Sequence, residues 1–191
     1  MTDADEGPVI PELSDMCEGL WVMSDPLEDG RYVVVISMDG DQSYPLSRFK
    51  ARRYAFAVLQ AGLAAEFEEA MYRQLTDDYG IDEEAVLAMV RRHRLQRPGT
   101  DDAATAPMRF VPGFSADTHK GFVTVEVNGQ PYAQLDCRGT IRHAQMVLVI
   151  EACCELDATY RRLLINDVGL TDEHAQAAVS ALAHDQAVID E

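Results

Sequence analysis

Cys137 is the residue whose type and position come closest to those of a catalytic nucleophile. It follows Asp136, a residue type that caps helices, so it would lie at a helix N-terminus, where the dipole lowers the pKa of a thiol. His143 would lie on nearly the opposite side of that helix and cannot easily serve as its general base. The sequence therefore favours a protein that is not an enzyme.

The other cysteines and histidines do not have the spacings of metal ligands. The four cysteines form no Cys-x-x-Cys pair, and the five histidines form no His-x-x-x-His pattern. The sequence also has no glycine-rich phosphate loop and no calcium loop. We therefore expect no metal and no cofactor, and cysteines that are reduced and buried as small apolar side chains.

A basic cluster at residues 48–53 is the first candidate binding surface. Its sequence, Arg-Phe-Lys-Ala-Arg-Arg, opens a predicted helix, where positive charge opposes the helix dipole. A charge arrangement that costs free energy without a visible reason sometimes marks a binding surface. Such a surface could hold the acidic N-terminal segment of the chain or an acidic partner. The candidate partner-binding residues here are Arg48, Lys50, Arg52 and Arg53. A second cluster at 91–94 ends a predicted helix, where positive charge is favourable.

The N-terminal segment contains the second candidate contact. Val9, Ile10 and Leu13 form a small apolar island within residues 1–18, which hold six acidic and no basic residues. Such islands are typical of short motifs that fold against a partner.

The charge of the chain disfavours one class of partner. The net charge is −17, with 33 acidic and 16 basic residues, and nine of the acids precede the first basic residue, Arg31. A protein that binds nucleic acid normally has a basic face, so we expect no direct binding to nucleic acid. An acidic surface that mimics nucleic acid stays open as an alternative.

Length and hydropathy favour a cytoplasmic protein. The 191 residues are 47% hydrophobic, enough for one compact domain or two small ones. No stretch has the roughly 18 consecutive apolar residues of a membrane-spanning helix, and the acidic start differs from a secretory signal. We expect a cytoplasmic location and no membrane contact.

The elements that must position these residues occur twice. A shift of 89 positions aligns residues 20–94 with 109–183 without a gap, and 16 of the 75 aligned pairs are identical. Composition alone would give about five identical pairs, so the chain reads as a duplicated module, a dimer fused into one chain.

Each copy predicts the same order of elements. Three strands contain an Asp-Gly turn at 39–40 or an Asn-Gly turn at 128–129, and Ser47 or Asp136 then caps a long helix. The long helices cover about 48–76 and 137–165, and the shorter ones about 82–94 and 171–184. The predicted fold is therefore α+β and pseudo-twofold: an acidic tail at 1–18, a first βββαα copy at 19–94, a linker at 95–107, a second copy at 108–184, and a tail at 185–191.

The long helices are expected to lie at the centre. Their apolar runs, 54–65 and 144–156, predict burial on more than one side, against the sheet of the same copy and against the equivalent helix. If these helices pack antiparallel, Arg53 would meet Glu155 and Arg142 would meet Glu66.

The Asp-Gly or Asn-Gly hairpin, the polar cap and the long helix rich in Ala, Arg and Glu resemble small uncharacterised hairpin-plus-long-helix proteins of actinobacteria and their phages. The resemblance implies an accessory or phage-encoded protein that works by contact. It carries over no functional residues, and it does not point to an activity.

These patterns together favour a non-enzymatic protein that binds another protein, with a second copy of the chain as a further candidate partner. One alternative is an acidic mimic of nucleic acid that inhibits a DNA- or RNA-handling enzyme. The other is a small-molecule binder or enzyme whose site lies at the pseudo-twofold interface, in a pocket lined by Tyr54, His143, Arg53 and Arg142.

Overall fold

The computed structural model describes residues 20–38, 42–96 and 108–187, with side chains to residue 182. These residues form two three-stranded antiparallel sheets and four α-helices, which is the α+β class that the sequence predicts. The elements are β1 (Leu20–Pro26), β2 (Tyr32–Met38), β3 (Gln42–Leu46), α1 (Arg48–Arg73), α2 (Glu83–Gln96), β4 (Met108–Phe114), β5 (Gly121–Val127), β6 (Gln130–Asp136), α3 (Cys137–Asn166) and α4 (Asp172–Ala187). The predicted N-terminal tail with Val9, Ile10 and Leu13, the turn at 39–40, the linker residues 97–107 and the last four residues lie outside the described residues.

The turns and helix ends follow from local sequence. Asn128 and Gly129 have φ values of 53° and 79°, as a tight turn between β5 and β6 requires. Gly80 and Gly169 also adopt positive φ, and the N–H of the following residue bonds a carbonyl six residues back, at 2.9 Å and 3.0 Å. Asp136 caps α3, because its carboxylate accepts a hydrogen bond from the N–H of Gly139.

The final turn of the first long helix is wider than an α-helix. Residues Gln74–Asp78 form a π-helical turn between α1 and Gly80. π-helical turns are rare, and those that occur are frequently located at functional sites.

Each of two compact units takes elements from both halves of the chain. The α1 unit comprises the described residues of 53–145: most of α1, α2, the sheet β4–β5–β6 and the first turns of α3. The α3 unit comprises the described residues of 19–52 and 146–191: the sheet β1–β2–β3, the first turn of α1, the rest of α3 and α4.

The α1 unit shows which sheet α1 covers. The ring of Tyr54 meets that of Phe110 edge-to-face, with centroids 5.3 Å apart, and the ring of Tyr72 lies 5.2 Å from that of Phe114. Both phenylalanines belong to β4, so α1 packs on the sheet that follows it in sequence. The expectation that each long helix covers the sheet of its own copy is wrong for α1, because apolar periodicity does not specify which of two similar sheets a helix meets.

The long helices are buried on one face only. On α1 the side chains of Tyr54, Val58, Ala61 and Ala65 are buried at helical spacing, whereas Phe56 is exposed. The predicted burial on more than one side is not seen, because the apolar residues of the run extend round to the exposed side. The predicted contact with the equivalent helix is present, since Gly62 lies against Thr140 and Ile141 of α3.

The first strands are offset by one residue from the gapless alignment. In the gapless alignment Phe110 is the counterpart of Trp21, and Glu126 is the counterpart of Ser37. Trp21 pairs with Ser37 across the strands, but the strand partner of Glu126 is Arg109, while Phe110 pairs with Val125. The loop after β4, residues 115–120, is one residue longer than the loop after β1, residues 27–31. The alignment at 89 therefore needs a gap in this loop.

Candidate functional site

Cys137 does not have the environment of a nucleophile. Burial raises the pKa of its half-buried thiol to about 12, and the nearby carboxylates Glu69, Glu66 and Asp136 act in the same direction. The expectation that the helix dipole lowers this pKa is wrong, because desolvation and negative charge dominate. The thiol is therefore protonated at neutral pH.

The remaining described cysteines agree with a packing role. Cys153 is half-buried and Cys154 is buried, and both are free thiols. Burial raises the pKa of each thiol. They behave as the small apolar side chains that the sequence predicts.

Tyr54 and His143 form a buried polar pair in the α1 unit. The Tyr54 hydroxyl oxygen and His143 Nε2 are 2.9 Å apart, and both side chains are almost fully buried. Burial lowers the pKa of His143 to about 4, so its imidazole is neutral at physiological pH. These two residues pack against each other, and neither lines the cavity described below. The small-molecule alternative would require both of them to line a pocket.

The basic cluster at the start of α1 has acidic partners within the α3 unit. Glu151, only 4% exposed, receives a 2.6 Å hydrogen bond from Arg48 Nε and a 3.0 Å bond from Arg52 Nε. Burial opposes ionisation of Glu151, but these hydrogen bonds outweigh it and lower its pKa. Arg48 also pairs with Glu155, at 2.9 Å. This explains the positive charge at the start of the helix without an external partner.

The sequence contained a signal for this arrangement, since Glu151 interrupts the apolar run of α3. Of the other candidate residues in the cluster, Lys50 is exposed and Arg53 is half-buried. A role for the cluster in binding a partner stays a prediction, as does the pairing of Arg53 with Glu155.

Glu68 is a buried carboxylate that sequence reasoning missed. Its side chain is fully buried in the α1 unit, where Arg94 Nη2 donates to it at 2.8 Å and His93 Nδ1 lies 3.9 Å away. The basic end of α2 therefore neutralises a buried charge in addition to meeting the helix dipole. The sequence did contain a signal for this burial. Glu68 is three residues after the buried Ala65, so the two lie on the same face of α1.

A cavity of about 450 Å³ lies at the C-terminal end of α1, beside the π-helical turn. The rings of Tyr72 and His119 stack on each other, with centroids 4.5 Å apart and planes at 24°. His119 Nε2 is 2.9 Å from Glu83 Oε1, and the N–H of Gly121 donates to Glu69 Oε2 at 2.9 Å. The rest of the lining comes from Arg73, Thr76, Asp77 and Ile81.

The negative charge of the cavity lining favours a positively charged ligand. Its lining includes three carboxylates and one guanidinium, a net charge of −2 when the histidine is left out of the count. The surrounding segment, residues 66–84, contains eight acidic residues and a single basic one. That excess of acid was the sequence signal for this site, but nothing in the sequence placed His119 beside it.

Across the described ranges, no group of three or more His, Cys, Asp or Glu side chains is placed to hold a metal ion. No helix in those ranges is long and apolar enough to cross a membrane. No protein-family model, curated protein or solved structure matches this chain.

Proposed function

We propose that this chain is a non-enzymatic protein that binds another protein through the exposed faces of its long helices. The observation that carries the proposal is a row of large apolar side chains on each helix, all between 41% and 67% exposed. On α1 the row is Phe56, Leu63 and Phe67; on α3 it is Val149, Leu156, Tyr160 and Leu163.

The spacing makes each row continuous. Residues seven and eleven positions apart lie on the same side of an α-helix, so Leu63 and Phe67 lie on the same side as Phe56. An exposed apolar patch of this kind is typical of a protein–protein contact site, because leaving it in water costs free energy.

The internal duplication supports a protein built as a fused dimer. Tyr54 and His143 are 89 positions apart, the shift of the repeat, and they contact each other. In a two-fold arrangement, equivalent residues meet where the axis passes between them. Equivalent positions also share burial, since Val58, Val147, Val90 and Val179 are all buried. We propose that the two copies are related by a pseudo-twofold axis.

The resemblance to proteins of actinobacteria and their phages supports an accessory role in the cytoplasm. A binding protein of this kind needs no cofactor. The second copy of the chain remains a candidate partner, and light scattering of the purified protein would detect such a dimer as a doubled mass.

A pull-down with matched variants tests the proposal. Full-length chain, the triple variant Phe56→Ser, Leu63→Ser, Phe67→Ser and a control variant Gln60→Ser, Glu66→Ser, Gln74→Ser would each be incubated with nuclease-treated lysate of the source organism. The control positions are exposed polar residues in the same helical region. We expect the wild type and the control to retain one protein in stoichiometric amount and the triple variant to lose it. Equal capture by the triple variant, or capture of nothing by the wild type, would contradict the proposal.

One observation favours a second candidate, an acidic mimic of nucleic acid. The eight acidic residues of the segment 66–84 concentrate negative charge at one end of the α1 unit. For a mimic, the captured protein would be a nucleic-acid enzyme, and short duplex DNA would displace the chain from it. The variant Asp77→Asn, Asp78→Asn, Asp82→Asn would then lose capture, while the apolar triple variant would retain it.

A further inference from the structure

We propose that the cavity at the end of α1 binds the guanidinium group of an arginine side chain presented by a protein partner. This inference rests on the proposed duplication and on the proposed protein-binding function. It identifies the partner by its chemistry, as a protein that displays an arginine.

The α3 unit already contains a guanidinium at the equivalent place. Arg161, whose side chain is only 12% exposed, donates from Nη2 to Asp172. It lies against Gly30, where any side chain would collide with its guanidinium. This unit therefore shows what kind of group the surrounding elements accept.

The surroundings of Arg161 have counterparts in the cavity of the α1 unit. Asp172 is the first residue of α4, and Glu83 is the first residue of α2, 89 positions earlier. Gly30 and His119 each lie two residues before the middle strand of their sheet, with φ values of 79° and 56°. The carboxylate and the left-handed loop residue are thus present in both units.

The guanidinium itself has no counterpart at that position. Tyr72 occupies the place in the repeat that Arg161 holds, so the α1 unit has an aromatic ring where the α3 unit has a cation. Arg73 lines the cavity, but it is the counterpart of Arg162, which is exposed on α3. A cavity of about 450 Å³ lies beside Tyr72 and beside Glu83 and His119, the counterparts of Asp172 and Gly30.

The cavity chemistry suits arginine more closely than other cations. A guanidinium is planar and stacks on aromatic faces, and the rings of Tyr72 and His119 both line the cavity. The carboxylates of Asp77 and Glu83 line the same cavity and can accept its N–H groups. A lysine ammonium would satisfy the charge, but it is not planar and would not stack on an aromatic ring as a guanidinium does.

The test uses N-acetyl-L-arginine amide as the probe and the full-length chain labelled with ¹⁵N. The neutral isostere N-acetyl-L-citrulline amide is the matched control ligand. We expect the arginine probe to shift the amide signals of Tyr72, Thr76 and Gly121, and the citrulline probe to leave them unchanged. Equal shifts with both probes, or shifts elsewhere only, would overturn the proposal.

Two variants assign the binding to this cavity. Tyr72→Arg supplies the chain's own guanidinium, as Arg161 does, and should abolish the shifts. Glu83→Gln should weaken probe binding about fivefold, the effect of losing one partly exposed ion pair. Glu84→Gln is the control, since Glu84 is an exposed neighbour outside the cavity. If Tyr72→Arg does not fold, the difference between Glu83→Gln and Glu84→Gln decides the question, and equal affinity in those two variants overturns the proposal.

The outcome separates this inference from the proposed function. Stoichiometric capture of a partner by the wild type with no probe shifts would overturn the arginine site and leave the protein-binding proposal standing. Probe shifts without capture of any protein would support the site and overturn the broader proposal.

Discussion

The hydroxyl oxygen of Tyr54 lies 2.9 Å from Nε2 of His143, and the two residues are 89 positions apart, the shift that aligns the halves of the chain. Here a phenol hydroxyl meets an imidazole nitrogen. Both side chains are buried, so their polar atoms satisfy each other where water does not reach them.

His143 should make the folded state less stable in mild acid. Burial lowers its pKa from 6.5 to about 4, so below pH 6.5 the unfolded chain binds a proton that the folded chain does not bind. The stabilising difference is fully present above pH 6.5 and should fall by about 3 kcal/mol as the pH approaches 4.

Urea denaturation between pH 7.5 and pH 4.5 measures this effect. The variant His143→Gln should show a flatter dependence of the unfolding free energy on pH, whatever its stability at pH 7. His174→Gln, at an exposed position of α4, should keep the wild-type slope. The same slope in His143→Gln and the wild type would show that another group is responsible.

Removal of Arg94 should destabilise the α1 unit. Arg94→Ala leaves the fully buried Glu68 without its 2.8 Å partner, and the expected loss is about 3 kcal/mol of unfolding free energy. Arg92→Ala changes an exposed residue of the same helix and should cost less than about 0.5 kcal/mol.

Thermal and urea unfolding of the two variants gives the comparison. Adding Glu68→Leu to Arg94→Ala should recover part of the loss, because an apolar side chain has no buried charge to neutralise. If the double variant is less stable than Arg94→Ala alone, Glu68 has a further stabilising role.

A side chain at position 121 should not fit. The first atom of such a side chain would collide with the backbone carbonyl oxygen of Ala65 on α1, and backbone cannot move aside as a flexible side chain can. Gly121→Ala should therefore cost about 2 kcal/mol, through displacement of β5 from the helix.

Gly129→Asn is the matched control for this substitution. Gly129 has a φ of 79° and open space around its α-carbon, and asparagine tolerates this conformation. Its melting temperature should stay close to that of the wild type, and an equal drop in both variants would contradict the packing argument.

Local features of the fold could be predicted from the sequence because neighbouring residues determine them. Residues within a few positions determine three such features: the end of the helical segment at Gly80, the turn at Asn128 and the helix cap at Asp136. The same holds for the middle strand of each sheet, since β2 and β5 are rich in β-branched residues.

Long-range features could not be predicted in the same way. The inner faces of the two sheets carry similar side chains, such as Val34 and Val123 at equivalent positions, so the pattern of α1 fits either sheet. The cavity was missed because Tyr72 and His119 are brought together only by that choice of sheet. The sequence predicts Arg48 as a partner-binding residue because its acidic neighbour in the fold, Glu151, lies 103 positions away in the chain.

The contents of each unit also constrain the order in which the chain can fold during synthesis. The first sheet leaves the ribosome long before α3, and its contact from Ser24 to Asp157 joins residues 133 positions apart. Its apolar strand β2 therefore stays without the contact of α3 until more than a hundred further residues have been added. We expect nascent chains that end before α3 to be held by chaperones, because they contain a complete sheet and no α3 unit.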